Sequence, residues 1–588
     1  MTPDQHLTDS AMQPGAELLA AGRKLSGEWS LGRCLFLDTE GVASEAEYKQ
    51  RQAAQGRIMQ HAHIGFRSID RTVDAMARLH ADAANRDVRI DRFGITLDWS
   101  MGYPPNSRQT AGRGTGIVLT GPEDFRRITD ASPAAAHFGD FMLGLPGALH
   151  NVQAAIAAGA TAIGNLGQYF TFRLPYWDDD VATTEATVTA LGLIAAQDAD
   201  ILVHSNLDDG FAGLFLDMTS AFGMMLIEKH IVEDLIGARA SFCFGHHFSS
   251  PLTRAAFHAA LAREVGTPGT MLFGNTVSYR GAPAANYASL ANYLLADIGA
   301  LMQAHTGHAV NPVPVTENLR IPDIDEILDA QTFASRLAEH ASGYAAITDR
   351  TPIETVADAL VADGKRFMTT VLAGLADRGV DTTDPAALML AIRRLGAKRM
   401  EALWGQGKVE GTRRTAVVPA DWAEELDHMA EAWLATIAPD DAGIGDLRVI
   451  IGTTDVHEHG AYLVRRAVEG LNAAVVDAGV AIDAEVLVER ACTENADVIA
   501  VSTYNGIALS YTRAVVAELA RRGLDLPVIV GGKLNQIPDS SNTDLPVDVT
   551  AEIAENGAIP CADLDDMRAA LLKAAGARRA ELTSVEAT

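Results

Sequence analysis

The stretch Asp455-Val456-His457-Glu458-His459-Gly460 directly follows an apolar segment, Leu447–Gly452, and opens an amphipathic helical pattern. A strand that runs through a short turn into a helix is typical of a doubly wound parallel sheet. An imidazole at that turn lies at the carboxyl edge of the sheet, where it can ligate a metal. The stretch therefore predicts both the fold of this part of the chain and a metal-ligating histidine.

Two further segments predict strand ends at the same edge. The apolar run Val498–Thr503 leads into Tyr504-Asn505-Gly506, and Leu526–Val530 leads into Gly531-Gly532-Lys533. The carboxyl ends of parallel strands meet at one edge of a sheet, so a metal ligand, a hydroxyl and a glycine pair come together there. We expect a pocket for a large ligand.

The order and spacing of these elements resemble the vitamin B12-binding domain, whose pattern is Asp-x-His-x-x-Gly, then Ser-x-Leu, then Gly-Gly. Tyr504 stands in the usual leucine place. The residues expected to bind the cofactor in this domain are Asp455, His457, Gly460, Ser502, Tyr504, Gly506, Gly531 and Gly532.

The resemblance implies a role for each of these elements. His457 is expected to coordinate the cobalt of cobalamin through one ring nitrogen, while Asp455 hydrogen-bonds the other and fixes the tautomer. Ser502 is expected to hydrogen-bond the displaced nucleotide base, and the glycine pair to leave bare backbone for the nucleotide tail. The alternative is an ordinary flavodoxin-like domain in which His457 starts a helix and Asp455 is its N-cap.

Composition limits the domain count and the partners. A chain of 588 residues, 48% of them hydrophobic, predicts one large and one smaller domain. The net charge of -29 disfavours nucleic-acid and membrane partners, which require clustered Lys and Arg. The four cysteines lie far apart without a C-x-x-C pair, so neither a zinc site nor a disulfide framework is predicted, and a reducing cytoplasm fits.

Between about Ile64 and Glu317, short apolar strands alternate with amphipathic helices, a pattern that predicts a (β/α)8 TIM-type barrel. The candidate strands are Gly94–Trp99, Gly116–Thr120, Thr161–Gly164, Ile201–His204, Ala240–Gly245, Gly269–Gly274 and Val310–Val315. From Ile324 to Leu403 the pattern turns helical. The predicted domains are a catalytic barrel with its extensions at 1–400, a linker at 401–445, a flavodoxin-like doubly wound cobalamin-binding domain at 446–576 and a tail at 577–588.

Several barrel segments together resemble the catalytic chain of glutamate mutase (methylaspartate mutase), here fused ahead of the B12 domain. The segments that carry the resemblance are Ser107-Arg108-Gln109, Ala157-Ala158-Gly159, Asn165-Leu166-Gly167, Leu174-Pro175-Tyr176, Thr316-Glu317 and Ile321-Pro322. Together with the C-terminal domain, these segments in their order and spacing cover most of the chain. The resemblance implies a radical isomerase that rearranges a carbon skeleton.

The departures from that family bear on the substrate. Of the three family arginines that grip substrate carboxylates, Arg108 has a counterpart here, while the other two positions fall at His63 and Leu143. The family glutamate that contacts the substrate amino group falls at Leu166, and a family tyrosine at Phe172. Losing a charged partner of a desolvated group costs roughly 2–5 kcal/mol, so we expect a substrate less charged than glutamate, with one carboxylate for Arg108.

Tyr176 and Glu317 complete the predicted site. Tyr176 lies in a segment that can line the substrate pocket. Glu317 falls where the family glutamate binds the ribose of the adenosyl group, which favours adenosylcobalamin over methylcobalamin. The alternative for Arg108 is a surface or interdomain salt bridge, and for Glu317 a capping role at the following helix.

The sequence thus predicts an adenosylcobalamin-dependent mutase that acts on a small molecule, is cytoplasmic and forms a homodimer. A corrinoid-dependent methyltransferase is the second hypothesis, because it also pairs a barrel with a B12 module. A non-catalytic cobalamin-binding protein is the third. Neither the substrate nor the product is specified by the sequence.

Overall fold

The computed structural model describes residues 6–108, 111, 114–207, 215–245, 250–269, 271–275, 278–279, 281–410, 413–438 and 443–586. The chain divides into two compact units, and the boundary between them falls between Asp421 and Trp422.

The N-terminal unit contains a parallel sheet that, within the described residues, has eight strands in the order β7-β6-β5-β4-β3-β2-β1-β8. The strands are β1 Met59–Ile64, β2 Arg92–Ile95, β3 Ala135–Phe138, β4 Ala162–Ile163, β5 Leu202–Asn206, β6 Arg239–Phe244, β7 Met271–Leu272 and β8 Ala309–Val310. Each of the strands β1 to β6 pairs with the next along the chain, and β8 pairs with β1. This is a half-barrel ladder in sequential order, and no β7–β8 pairing joins its two edges in the part of the chain described.

Helices connect and cover these strands. They are α1 Gly15–Leu25, α2 Leu35–Glu40, α3 Glu45–Ala54, α4 Ile69–Asn85, α5 Pro105–Arg108, α6 Pro122–Thr129, α7 Ala148–Ala157, α8 Gln168–Thr171, α9 Asp180–Ala195, α10 Met218–Lys229, α11 Pro251–Glu264, α12 Pro283–Gln303, α13 Ile324–Ile347, α14 Thr351–Ala376, α15 Pro385–Leu395 and α16 Ala397–Trp404. The last four confirm the predicted helical segment. Helices α10 and α14 approach closely because Gly223 and Gly364 face each other: a Cβ built on Gly223 would lie 2.7 Å from the Gly364 carbonyl oxygen.

The predicted strand Gly116–Thr120 is wrong, since only Ile117 makes a β-bridge, to Leu97. Strands β1 and β3 were not predicted. Strand β1 has the sequence Met-Gln-His-Ala-His-Ile, and because half of its residues are polar, a search for apolar runs does not identify it as a strand. Gly94 on β2 leaves the space that two of these imidazoles fill, because a Cβ there would lie 2.6 Å from both the His61 Nε2 and the His63 Nδ1.

A buried ion-pair network lies at the amino ends of these strands. The Glu45 carboxylate of α3 contacts Lys49 Nζ at 2.8 Å and Arg92 Nε at 2.9 Å. Burial lowers the pKa of Lys49 to about 8, and the backbone nitrogen of Glu45 donates to Thr161 Oγ1 at 2.8 Å. Helix α3 therefore covers the amino-terminal side of the sheet, and leaves the carboxyl side for a site.

The segment 401–445, which was predicted to be a linker, contains helices and strands in the structure. A short hairpin, β9 Val409–Glu410 with β10 Arg413–Arg414, precedes α17 Asp421–Leu434. Helix α17 buries Trp422 and Leu426 within the C-terminal unit. The Trp422 ring lies 5.1 Å from the His459 ring and 5.0 Å from the Tyr462 ring, centroid to centroid.

The C-terminal unit has a five-stranded parallel sheet in the order β12-β11-β13-β14-β17 within the described residues. Its strands are β11 Arg448–Thr453, β12 Ala474–Gly479, β13 Val498–Thr503, β14 Val528–Gly532 and β17 Ile559–Cys561. Its helices are α18 His459–Gly470, α19 Ala484–Thr493, α20 Ala508–Arg522, α21 Thr550–Glu555 and α22 Leu564–Glu586. A small ribbon pairs β15 Asn535–Gln536 with β16 Val547–Asp548.

Two apolar layers flank this sheet. One packs α18 and α22 against the face that carries Val498 and Ala500, and the other packs α19, α20 and α21 against the face that carries Ile499 and Val501. The strand order, with helices on both faces, confirms the flavodoxin-like doubly wound domain. In the ranges described, none of the helices combines the length and apolar character needed to cross a bilayer.

Candidate functional site

The turn after β11 holds His457 through Asp455. One carboxylate oxygen of Asp455, Oδ1, accepts hydrogen bonds from the His457 backbone nitrogen at 2.9 Å and from the His457 ring Nδ1. The contact with Nδ1 leaves Nε2 as the ring nitrogen available to a metal. The His457 side chain is 26% exposed, so that nitrogen is accessible to a ligand.

Asp455 is itself fixed by the neighbouring strand. Its second oxygen, Oδ2, accepts from Thr454 Oγ1 at 2.9 Å and from the backbone nitrogens of Tyr504 and Asn505 at 3.2 and 3.1 Å. Burial raises the pKa of this carboxyl, but the opposing effect of His457 and these hydrogen bonds holds the pKa below its ordinary value. Asp455 is therefore an ionised, immobile partner for the imidazole.

Ser502 and three glycines shape the space beside His457. A Cβ built on Gly460 would lie 2.5 Å from Ser502 Oγ, so the glycine keeps the space in front of the hydroxyl clear. A Cβ on Gly532, which has φ +99°, would lie 2.3 Å from the Thr503 carbonyl oxygen. A Cβ built on Gly531 would have only the Cys561 carbonyl oxygen nearby, at 3.6 Å, so the backbone there borders open space.

Tyr504 lies over the imidazole. Its ring centroid is 4.3 Å from that of His457, with the planes inclined by 33°. The Nζ of Lys533 lies 4.1 Å from the same tyrosine centroid, and 43% of Tyr504 is exposed. Gly506 shapes the turn that follows: it has φ +71°, and a Cβ there would lie 2.4 Å from Ile537.

These residues fit cobalamin. The site offers one imidazole nitrogen as a metal ligand, and a carboxylate contacts the other ring nitrogen. Proteins use this arrangement to orient metal-binding histidines. The clear space before Ser502 and the bare backbone at Gly531 suit a slender nucleotide tail. No group of three or more His, Cys, Asp or Glu residues able to hold a free metal ion occurs among the described residues.

In the N-terminal unit, buried asparagines mark the carboxyl edge of the sheet. Asn165, Asn206, Asn275 and Asn311 lie at or just beyond the ends of β4, β5, β7 and β8. The Asn206 backbone nitrogen donates to Asn165 Oδ1 at 2.7 Å. Asn206 Oδ1 and Asn311 Nδ2 have no hydrogen-bond partner in the described structure. A polar residue following each apolar strand is the signal that could have identified these positions.

Arg108 is a half-buried cation held by neutral acceptors. It donates to the Tyr103 and Met101 carbonyl oxygens at 3.0 Å each and to Asn151 Oδ1 at 2.5 Å. Burial lowers its pKa to about 10. Arg108 forms no salt bridge within the described residues, although a salt bridge was the alternative role considered for it.

The apolar residues predicted for the substrate pocket are connected to Arg108 through polar bridges. Asn151 Nδ2 donates to the Phe141 carbonyl oxygen at 3.0 Å, and the Phe141 ring lies 5.3 Å from that of Phe172. Leu143 and Leu166 lie in the adjoining loops and are at most 1% exposed. They therefore pack beneath the edge of the sheet.

The remaining predicted residues lie on separate segments of the chain. His63, at the end of β1, is exposed and shares a 2.8 Å hydrogen bond between its Nε2 and Thr96 Oγ1. Glu317 is half-buried in the segment after β8, where its charge contributes to the raised pKa of Tyr279. Tyr176 is 73% exposed, so the structure places it on the surface.

Two buried ionisable side chains, Glu228 and Arg254, hold the loops of this edge in place through hydrogen bonds. Ser205 Oγ accepts a hydrogen bond from the Gly167 nitrogen at 3.0 Å and donates to Glu228 of α10. Arg254 of α11 donates to the Gly245 and Phe273 carbonyl oxygens at 2.9 and 2.8 Å. Neither Glu228 nor Arg254 belongs to a recognisable motif.

The C-terminal unit contains a B12-binding domain: residues 448–554 match the family model of the B12 binding domain, in agreement with the fold and the histidine geometry described above. The chain is similar to ethylmalonyl-CoA mutase from Cereibacter sphaeroides, at 30% identity over 129 residues, which is 21% of this chain and 19% of the relative. The match thus spans about a fifth of that mutase.

A solved structure is also similar to part of the chain. It is a cobalamin-binding protein from Desulfitobacterium hafniense DCB-2, with 19% identity and a TM-score of 0.18, and the match covers 27% of this chain and 79% of that one.

Proposed function

We propose that the protein is an adenosylcobalamin-dependent isomerase of the carbon-skeleton mutase type. The observation that carries the proposal is the Asp455–His457 pair at the carboxyl edge of a B12-binding domain. The similarity to a cobalamin-dependent mutase, and the resemblance of the N-terminal segments to glutamate mutase, support the reaction class.

We propose further that the N-terminal sheet closes into a complete barrel. The Cα atoms of β7 and β8, its two edge strands, approach within 8 Å. Tyr279 Oη donates to the Val313 carbonyl oxygen at 2.8 Å, which joins the segment after β7 to the segment after β8. Enclosure of this kind excludes water from reactive intermediates.

The substrate class follows from Arg108. A desolvated guanidinium with neutral acceptors has charge to offer an anion, and its planar fork suits a carboxylate. His63, Leu143 and Leu166 replace the charged groups that a second carboxylate and an amino group would need. The substrate is therefore a small molecule whose reacting part has one carboxylate and is otherwise weakly charged, such as the acyl group of a thioester.

Each group of residues has one task in this reaction. Arg108 binds the carboxylate, and the unpartnered amides of Asn206 and Asn311 hydrogen-bond the polar part of the substrate. Asp455 orients His457, and the proposed role of Glu317 is to hold the ribose of the adenosyl group. When bound, adenosylcobalamin supplies a carbon-centred radical that abstracts a substrate hydrogen.

The first test is an anaerobic titration of the purified protein with adenosylcobalamin in the dark, followed by visible spectroscopy. We expect tight binding with a spectrum in which histidine has displaced the dimethylbenzimidazole base. His457→Ala is expected to abolish that spectrum. His428→Ala is the matched control, because His428 is an exposed histidine of the same unit.

Incubation with candidate substrates then separates the reaction classes. Isomerisation of a mono-carboxylate such as ethylmalonyl-CoA, with a radical signal in electron paramagnetic resonance, supports the mutase. Methyl transfer from methylcobalamin would instead establish the methyltransferase hypothesis. Absence of a histidine-ligated spectrum contradicts all cobalamin chemistry at this site.

A further inference from the structure

We propose that Lys533 binds the phosphodiester of the cobalamin nucleotide tail, and that Tyr504 holds the lysine in place for this contact. The inference deepens the cobalamin-binding function of the C-terminal unit and rests on it. It assigns a charged recognition element to a residue outside the three elements of the B12-binding pattern.

The backbone of Lys533 is fixed at the edge of the sheet. Its nitrogen donates to the Thr503 carbonyl oxygen at 2.9 Å, and its own carbonyl oxygen accepts from the Asn535 nitrogen at 2.8 Å. It directly follows Gly531 and Gly532 at the end of β14. The lysine therefore begins at the place where the open space beside Gly531 is found.

The side chain of Lys533 lies against the same tyrosine ring that stacks on His457. Its Nζ lies 4.1 Å from the Tyr504 ring centroid, and that ring lies 4.3 Å from the His457 imidazole. An ammonium group over an aromatic face is attracted by the ring electrons, and this interaction restricts a flexible stem. Tyr504 thus holds the cation at the ring that stacks on the histidine.

The charge of this lysine has a matching group in the ligand. Lys533 is the sole lysine between residues 448 and 554. The corrin ring of cobalamin carries neutral amides, whereas the nucleotide tail contains one anionic phosphodiester. A compact ammonium is a common binder of phosphate oxygens. The chain has a net charge of -29, which repels an anionic ligand, and a cation at this edge offsets that repulsion.

Comparing the binding of two corrinoids tests the contact between Lys533 and the phosphodiester. Adenosylcobalamin contains the nucleotide tail, and adenosylcobinamide lacks it together with the phosphodiester. Lys533→Gln is expected to weaken adenosylcobalamin binding about 10- to 100-fold and to change adenosylcobinamide binding less than about twofold. Lys533→Arg, which keeps the charge, is expected to retain most of the affinity. Lys573→Gln, at an exposed lysine of α22, is the matched control.

Binding is measured on the full chain by equilibrium ultrafiltration in the dark, and circular dichroism verifies that each variant is folded. Equal losses for the two corrinoids in Lys533→Gln would overturn the proposal, as would unchanged affinity for both. If the unmodified protein binds adenosylcobinamide but gains nothing from the tail, Lys533 has no phosphate contact and cobalamin function survives. If it binds neither corrinoid, the proposed function itself fails.

Discussion

Ser205 donates a hydrogen bond from its hydroxyl to Oε2 of Glu228, and both residues are fully buried in the N-terminal unit. The other carboxylate oxygen, Oε1, has no hydrogen-bond partner among the described residues. Burial raises the pKa of Glu228 to about 8, and the Ser205 hydrogen bond opposes this only in part. Glu228 is therefore a protonated acid near neutral pH, placed behind the loop that carries Leu166.

A pH-dependent stability follows for Glu228→Gln. The folded-state pKa lies above the ordinary value of 4.5, so the unfolded chain binds fewer protons between about pH 4.5 and 8, and stability falls as pH rises through that window. Glutamine cannot ionise. Relative to the unmodified protein, the variant is expected to gain up to roughly 4 kcal/mol on going from pH 5 to pH 8.

Urea unfolding at the two pH values measures this difference. Glu28→Gln is the control, because Glu28 is exposed. Parallel stability curves for the unmodified protein and Glu228→Gln would contradict the raised pKa.

Arg254→Met tests the buried arginine that hydrogen-bonds the residues following β6 and β7. The guanidinium and the Asp297 carboxylate form two hydrogen bonds of 3.0 and 2.6 Å at a site that is essentially inaccessible to water. Removing the cation leaves a buried carboxylate, which typically costs about 3–5 kcal/mol. Thermal unfolding of the single variant is expected to show this loss. The double variant with Asp297→Leu is expected to recover part of it, and a further loss would show that the pair is not coupled.

Arg108→Gln tests the carboxylate anchor. Substitution removes the charge but keeps a donor, so we expect the apparent substrate affinity to fall by roughly 30- to several-thousand-fold, the equivalent of about 2–5 kcal/mol. Adenosylcobalamin affinity is expected to remain unchanged. Arg78→Gln on the exposed side of α4 is the control. Steady-state kinetics with the identified substrate provides the measurement, and an unaltered KM would exclude the anchoring role.

Gly460→Ala tests the space before Ser502. The added Cβ would lie 2.5 Å from Ser502 Oγ, so the serine must rotate away from the position in which it faces the tail. We expect adenosylcobalamin binding to weaken about tenfold, on the order of one lost hydrogen bond. In Gly576→Ala a Cβ meets nothing within 4 Å, so cobalamin binding should be unaltered. Identical affinities in the two variants would show that the tail does not use this space.

The sequence located the C-terminal domain with little error because its signals are local. Strand β13 was predicted at Val498–Thr503, where the structure has it. Each predicted cofactor-binding residue in this domain lies at a strand end, in a turn or in the first turn of a helix, which its own neighbours specify. In the N-terminal unit the signals failed where polar side chains lie inside the sheet, as in β1 and β3. An alternating apolar pattern cannot detect a strand whose inward face carries histidine.

What the sequence determined by itself is, in the C-terminal unit, the order of strands and turns, the identity of the residues that follow each strand, and hence the B12-binding motif. Only the tertiary structure decided which of those residues meet: that Asp455 contacts His457 and the neighbouring strand at once, that Lys533 lies over Tyr504, and that Arg108 has neutral partners. The physical reason is that motif geometry arises within a few residues, whereas burial, desolvation and the pairing of charges depend on contacts between segments far apart in the chain.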